Sequence, residues 1–499
     1  MEYDGFEKLP QGQPLADSRH EITVDSIAGV QTCSKYPILS WPSHTPNLVF
    51  LRFISLMDIL VMIAQMLLGL TILVLLHEWG HFAAARLFGI RVEKFYVFFD
   101  AWGKKLFSIQ KGDTEYGLGW LPLGGYVKIS GMIDESLDTN AMKSEPQAWE
   151  FRSKPAWQRL IVMIGGVTVN ALLGILIFSG IFWYYGQEYL PNQALTHGVA
   201  VGPIAREVGF QPGDRIIALN GKKVERFDEV MAMDVFLGED NQIQVMRDGK
   251  SCLIQLPANM AGKLLEAENG LSFLAPRHRF RLGEIVQGMP AEAAGLEAGD
   301  SIISIDGMPI LFFDQLQEIL KARASKTVPI QYVREGETMQ SDLTVSEQGT
   351  IGIYPELEQL TTARQEFSLA QSIPAGAALA WSTIADNVRG FGKVFSGEIP
   401  VEKSLGGPIA IAKKMYGGEW IWYRFWMTTA LLSMILAFMN LLPIPALDGG
   451  HVLFLLIEMV IRRPVPEKVL IGAQYVGMAI VLLLMVFAFG NDIWQHVLN

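Results

Sequence analysis

Cysteine is nearly absent from this chain. Cys33 and Cys252 are the two thiols among 499 residues, too few for a disulfide scaffold or for a zinc site built from cysteines. Charge is scarce too. Asp, Glu, Lys and Arg make up 18% of the residues, where an ordinary soluble chain carries about 25%. The balance is negative, at −11, and no run of lysine or arginine stands out. Nucleic acid is therefore a poor candidate for the main partner. Apolar residues account for 50% of the chain before its 48 glycines are counted, and the mean hydropathy is +0.26. These values argue against disorder and against a purely soluble enzyme. The length suggests about three folding units at roughly 150 residues each.

Four stretches free of Asp, Glu, Lys and Arg approach the ~20 residues that cross a hydrocarbon layer of about 30 Å. They are 59–76, 160–187, 425–447 and 469–491. A buried core helix is the alternative for each, but soluble helices rarely run so long without a charge. Asn440, Pro443 and Pro445 interrupt the third stretch. Such breaks survive in a bilayer only where protein or a watery cavity satisfies the freed backbone. Lysine and arginine set the orientation. Eleven of them, from Arg86 to Arg159, follow the first span, and Arg462, Arg463 and Lys468 precede the fourth. Both loops are expected to be cytoplasmic, with both termini and the long segment between spans two and three outside.

That outer segment contains a repeat. Residues 209–224 read GFQPGDRIIALNGKKV and residues 295–310 read GLEAGDSIISIDGMPI, with Gly, Gly, Asp, Ile, Ile and Gly in register at an offset of 86. Turn glycines, a short strand and an Asn-Gly or Asp-Gly turn form each copy. The pattern resembles the core of PDZ domains, twice in tandem; PDZ domains bind extended peptides along a sheet edge. Two small α/β domains that only block access are the equal alternative. Residues 92–130 are rich in aromatic, β-branched and glycine residues, and read as strands and turns against the membrane face. Residues 367–395 read as an amphipathic helix pair, with Trp381, Ile384, Val388 and Phe391 at helical spacing. The pair would lie along the outer leaflet or pack on the two domains. The first 56 residues hold Pro10, Pro14, Pro37, Pro42 and Pro46 and lack the pattern of a cleavable signal. Translation is expected to begin naturally at Met57, with 1–56 a leader of doubtful nativeness; peptides derived from Met1 in a native mass spectrum would overturn this.

His77-Glu78-Trp79-Gly80-His81 fits H-E-x-x-H. On a helix, positions i and i+4 share a face, so both imidazoles can reach one metal ion. Glu78 between them can take a proton from the attacking water. Zn2+ in such a site acidifies water to a pKa of about 7 and polarises a scissile carbonyl. A helix end emerging into water is the alternative, yet ionisable groups at the end of a spanning helix are costly unless they have a function. Zinc needs a third protein ligand and an open position. Asp448 is the candidate: in the run from Asn440 to His451, two prolines precede it and two glycines follow, which breaks the helix and lets the carboxylate turn inward. The alternative is an N-cap for a helix over 449–461. His451 is not counted as a ligand, because the water needs the fourth position.

HEWGH in the first span, Gly166-x-x-x-Asn170 in the second, the tandem PDZ-like cores and NLLPIPALDGGH before the last span together resemble the site-2 protease family. These are M50-type intramembrane zinc metalloproteases, and the match is to the regulator-of-sigma-E form with tandem PDZ domains. The resemblance runs from Met57 to the end, and Gly124-Gly125-Tyr126-Val127-Lys128 and Ser404-Leu405-Gly406-Gly407-Pro408 add to it. It implies that His77, His81 and Asp448 hold the zinc and that Glu78 is the catalytic base. Asn440 would hold the substrate backbone or steady the oxyanion, Asn170 matches the second-span Asn, and Gly166 and Gly174 would let that helix pack closely.

The implied fold class is a multi-pass α-helical membrane protein. Four transmembrane helices would cover 57–89, 160–187, 421–447 and 468–491, with a broken half-helix at 448–462. A membrane-associated β region would cover 90–159 on the cytoplasmic side. Two extracytoplasmic α/β PDZ domains would cover 188–270 and 271–360, followed by amphipathic helices at 367–400. The implied location is the cell inner membrane, with the PDZ domains periplasmic and the active site near the cytoplasmic side. The implied activity is regulated intramembrane proteolysis in a stress response. Its partners would be membrane lipid and single-pass substrates, already trimmed by another protease, such as an anti-sigma factor or a remnant signal peptide; no nucleic acid is implied. The substrate would enter between the helices and unwind, and strands in 92–130 could pair with it. Many relatives carry Gly-Phe-Gly after the first span, whereas this chain has Phe98-Phe99-Asp100-Ala101-Trp102-Gly103. Two rivals stand beside this reading. An inactive membrane-tethered PDZ scaffold leaves HExxH unexplained. A zinc transporter predicts ionisable groups along several spans, which this chain lacks.

Overall fold

The computed structural model describes residues 48–121, 124–132, 145–266, 273–404 and 406–494. Cys33, Leu405 and residues 1–47 of the expected leader lie outside them. The six longest helices are α1 (Leu48–Leu87), α2 (Ala156–Tyr185), α3 (Leu369–Phe395), α4 (Trp422–Leu441), α5 (Asp448–Ile461) and α6 (Glu467–Ile493). Among the described residues, four of these are long and apolar enough to cross a membrane: α1, α2, α4 and α6. Helix α1 begins upstream of Met57 and ends where Gly89 turns left-handed at φ +64°, a stop that glycine takes without a Cβ penalty. Helix α4 gives way at Leu442, and the Pro-Ile-Pro turn carries Ala446 at φ +94° before α5 starts. A non-glycine residue in that region stores strain.

Small residues set the helix crossings, as in other membrane bundles. Gly80 of α1 lies against the backbone of Gly165 in α2, and Gly174 of α2 lies against Met434 of α4. The stretch expected as a helix pair is one helix, α3. Its buried stripe is Ser372, Gly376 and Ala380, with Gly376 on Ser179 of α2, while Trp381 and Val388 stay exposed. Close packing selects small side chains along this stripe, while Ile384 packs beside it on the cluster of α2 and α4 and Phe391 meets Phe438 of α4. The far end of α3 reaches the first α/β unit, where Val394 joins its core and Lys393 donates to the Ala258 carbonyl at 2.7 Å.

Between α1 and α2 lies a sheet of β1 (Val92–Val97), β2 (Lys105–Lys111), β3 (Thr114–Gly119) and β4 (Tyr126–Ile129), in the order β2-β3-β1-β4. Val92, Val127 and Ile129 pack with Ala85 of α1, Met163 of α2 and Leu455 of α5. This fastens one face of the sheet to the helices. On edge strand β2, Leu106, Phe107 and Ile109 are exposed.

The repeat folds as two similar α/β units. In the first, strand Arg215–Leu219 pairs with Lys222–Lys223 and Gln242–Arg247, and Lys250–Gln255 joins the edge; in the second, Ser301–Ile305, Met308–Pro309, Thr327–Arg334 and Glu337–Thr344 repeat that order. Asn220-Gly221 and Asp306-Gly307 both turn with φ between +51° and +78°, the geometry of a tight hairpin. Each unit also carries the same buried clamp. Asp214 holds Arg247 and Asp300 holds Arg334, both through two oxygens at 2.7–2.8 Å. The boundary between the units falls after Pro276, not at 270: Leu274–Pro276 pairs antiparallel with Val199–Val201 and closes the first unit. A short ladder of Gln187–Tyr189 with Ala363–Gln365 joins the entry and exit of the pair directly after α2.

Candidate metal centre

Helical spacing puts His77 and His81 on one face of α1. That face turns to α2, and the two rings are only 9% and 7% exposed. Their Nε2 atoms lie 3.2 Å apart. Asp448 Oδ2 lies 3.2 Å from His77 Nε2 and 3.3 Å from His81 Nε2. The three atoms form a nearly equilateral triangle. His81 Nδ1 faces the Val162 carbonyl at 2.8 Å; it must donate there, which leaves a lone pair on Nε2. Asp448 Oδ2 is buried with no hydrogen-bond partner. Asp448 does not cap α5, since Leu447 holds the cap position.

Lone pairs that converge in this way call for a cation. A tetrahedral zinc ion with arms of about 2.0–2.1 Å spaces its ligand atoms about 3.3–3.4 Å apart. The triangle matches three such vertices, and the fourth is left for water or substrate. Among the described residues this is the group that could hold a metal ion.

The remaining candidates surround the triangle. Asn440, on the last turn of α4, sets Nδ2 3.3 Å from His77 Nε2. Glu78 points toward the sheet, where Gly125 packs beside its side chain. Gly166 of α2 lies directly on the two histidine rings. Asn170, one turn on, reaches His77 Nδ1 at 3.2 Å. The structure thus brings His77, Glu78, His81, Asn440 and Asp448 together. Sequence reasoning missed the Val162 carbonyl, since a backbone group carries no residue-type signal. It also missed Gly477 of α6, whose Cα faces the Pro445 carbonyl in the turn before Asp448.

The Phe98–Gly103 loop has its own fastening. Asp100 accepts from Lys94 Nζ at 2.9 Å and from Tyr126 Oη at 2.8 Å. Burial alone would raise the Asp100 pKa, but these two partners hold it below the usual carboxylate value. Phe99 and Tyr96 each stack with Tyr126. Phe98 and Trp102 are left-handed at φ +67° and +56°, so side-chain bonds here impose a shape that glycine would adopt freely.

Residues 65–484 match the model for peptidase family M50. The chain belongs to peptidase family M50. It is 29% identical over 454 residues to the regulator of sigma E protease of Haemophilus influenzae, covering 87% of this chain and 99% of that one. It is 29% identical over 460 residues to the regulator of sigma-E protease RseP of Salmonella typhimurium, covering 88% and 99%. A Neisseria meningitidis protein, named provisionally as a zinc metalloprotease, is 30% identical over 445 residues, covering 85% and 97%. This M50 peptidase is therefore a membrane-embedded zinc metalloprotease of the site-2 type, acting in regulated intramembrane proteolysis.

Proposed function

We propose that His77, His81 and Asp448 hold the zinc ion, that Glu78 is the general base and that Asn440 binds the reacting carbonyl. The supporting observation is the triangle of two imidazole nitrogens and one orphaned carboxylate oxygen, with edges of 3.2–3.3 Å. Zinc, when bound, polarises the scissile carbonyl and makes water a competent nucleophile at neutral pH. Glu78 takes the proton of the attacking water and delivers it to the leaving amide nitrogen. Asn440 Nδ2 donates to the carbonyl oxygen as negative charge builds on it.

The substrate is a single-pass membrane segment already trimmed by another protease. A helix hides its carbonyls in i to i+4 bonds, so the segment must open before attack. Strand β4 favours this: among the described residues it is an edge strand of the sheet, next to Glu78, and an extended segment added there would present carbonyls to the site. An anti-sigma factor fits the names of the two sigma-E relatives, and a remnant signal peptide fits the same chemistry. The two α/β units act as PDZ-type filters outside the cytoplasm, excluding substrates with bulky outer domains. Their duplicated topology and their attachment at the end of α2 support this. The basic residues from Arg86 to Arg159 and at Arg462, Arg463 and Lys468 favour an inner-membrane orientation with the site toward the cytoplasm.

The test is cleavage of a model single-pass substrate by the detergent-purified chain, with bound zinc quantified. Wild type should cut within the hydrophobic segment. Glu78→Gln should keep zinc and lose cleavage, and Asp448→Ala should lose zinc. A wild-type chain that takes up no zinc on careful reconstitution would overturn the site assignment.

A further inference from the structure

Asn170 is fully buried in α2, one turn past Gly166. Its side-chain Nδ2 is placed 3.2 Å from His77 Nδ1, while its Oδ1 is buried with no hydrogen-bond partner. The two ends of an amide have the same shape and exchange by a half-turn of the terminal bond. As placed, Nδ2 donates to Nδ1, so the His77 ring proton must sit on Nε2. That proton would point into the triangle, toward Asp448 and His81. The half-turn takes that proton out of the triangle. Oδ1 then accepts from His77 Nδ1–H, and Nε2 is left with a lone pair facing the other two ligand atoms. His81 already has this arrangement through the Val162 carbonyl. The backbone of Asn170 is itself anchored, because Ser433 Oγ of α4 donates to its carbonyl at 2.7 Å.

We propose that Asn170 is a positioning residue whose Oδ1 accepts from His77 Nδ1–H and so fixes the tautomer and ring angle that His77 presents to the metal. Outer hydrogen bonds of this kind orient a ligating histidine and raise its basicity. This role rests on the zinc site proposed above, and it is directional: an acceptor is required, not a donor.

Direction makes it testable. Zinc affinity is measured by chelator competition on purified full-length protein, together with the visible absorption of the cobalt-substituted form, for wild type, Asn170→Leu, Asn170→Asp, Ser433→Ala and Asp448→Ala. Asn170→Leu should bind zinc about 10–100-fold more weakly and alter the cobalt spectrum. Asn170→Asp can only accept, so it should bind within a few-fold of wild type. Ser433→Ala loosens the anchor of Asn170 without removing its acceptor and should cost much less affinity than Asn170→Leu. Asn170→Ala, which leaves a void instead of a clash, replaces the leucine variant if that one does not fold. Wild-type affinity in the leucine or alanine variant would overturn the proposal. So would loss in Asn170→Asp as large as in Asn170→Leu, or equal loss in Ser433→Ala. Asp448→Ala separates the two claims: if it too binds zinc normally, the site assignment fails; if it alone loses zinc, only the role of Asn170 fails.

Discussion

Replacing Gly166 by alanine probes how closely α2 is seated on the two histidines. The new methyl carbon would stand 2.6 Å from His77 Cε1 and 2.7 Å from its Nδ1. Non-bonded carbons settle at about 3.5–4.0 Å, so ring and helix must part by about 1 Å. Gly166 lies within a regular helix, where alanine is favoured over glycine by about 0.8–1.0 kcal/mol. Backbone strain therefore contributes nothing to the effect. Overpacking costs about 1–3 kcal/mol, too little to unfold a large bundle. The ligand triangle is less tolerant, because a misplacement of about 1 Å in a catalytic array costs on the order of 10²-fold in rate. Gly166→Ala should insert and fold, lose zinc readily to a chelator and cleave the model substrate about 100-fold more slowly. Gly174→Ala is the control: its neighbour is the flexible Met434 side chain, which can move aside. Full zinc affinity and full cleavage in Gly166→Ala would refute the claim that this glycine is required by contact with the ligands.

Gly477→Ala should also impair zinc retention, because a Cβ there would collide with the Pro445 carbonyl and push the turn that carries Asp448; chelator competition reads it, and unchanged retention would count against the contact. Asp300→Ala removes two short bonds from Arg334, which keeps Glu297 and the Gly295 carbonyl, and leaves the strand ends of the second unit less firmly tied. Hydrogen exchange should therefore speed up in the second α/β unit and not in the first. Lys105, followed by Tyr96, holds the Glu115 carboxylate down to about 2. A folded value below the unfolded one, about 4.3, gives a stabilisation that is complete above that pH and fades as the pH falls toward 2. Amide protection in β2 and β3 should drop across that window in wild type and less in Glu115→Gln; identical profiles would reject the link.

The cluster around His77 is legible in the sequence because its parts lie on regular repeats. His77 and His81 follow helical spacing, and Asp448 is flagged by the prolines and glycines that break the chain around it. The spans are legible through missing charge, and the two α/β units through Gly, Asp and Ile in fixed register. The third span ends sooner than its apolar run, since Pro443 and Pro445 stop the helix while leaving the hydropathy high. Helix α3 is one helix where a pair is expected, and its placement stays open in the sequence for a related reason: helical periodicity marks Trp381 and Val388 as a face, but cannot tell a face turned to protein from one left outside. The buried stripe of Ser372, Gly376 and Ala380 carries almost no hydropathy signal. The clamps Asp214–Arg247 and Asp300–Arg334 join residues 33 and 34 positions apart, and only the strand pairing reveals them.

His77 and His81 are made with the first spanning helix, whereas Asp448 arrives only after both outer units and the third span have been synthesised. Until then the two imidazoles form an incomplete site with no carboxylate to finish it. On the ligand set proposed above, metal capture would mark the end of assembly. A chain that stalls, is clipped or inserts its last helices wrongly holds no complete triangle, so the geometry that gives the enzyme its reactivity also delays that reactivity until the surrounding fold is in place.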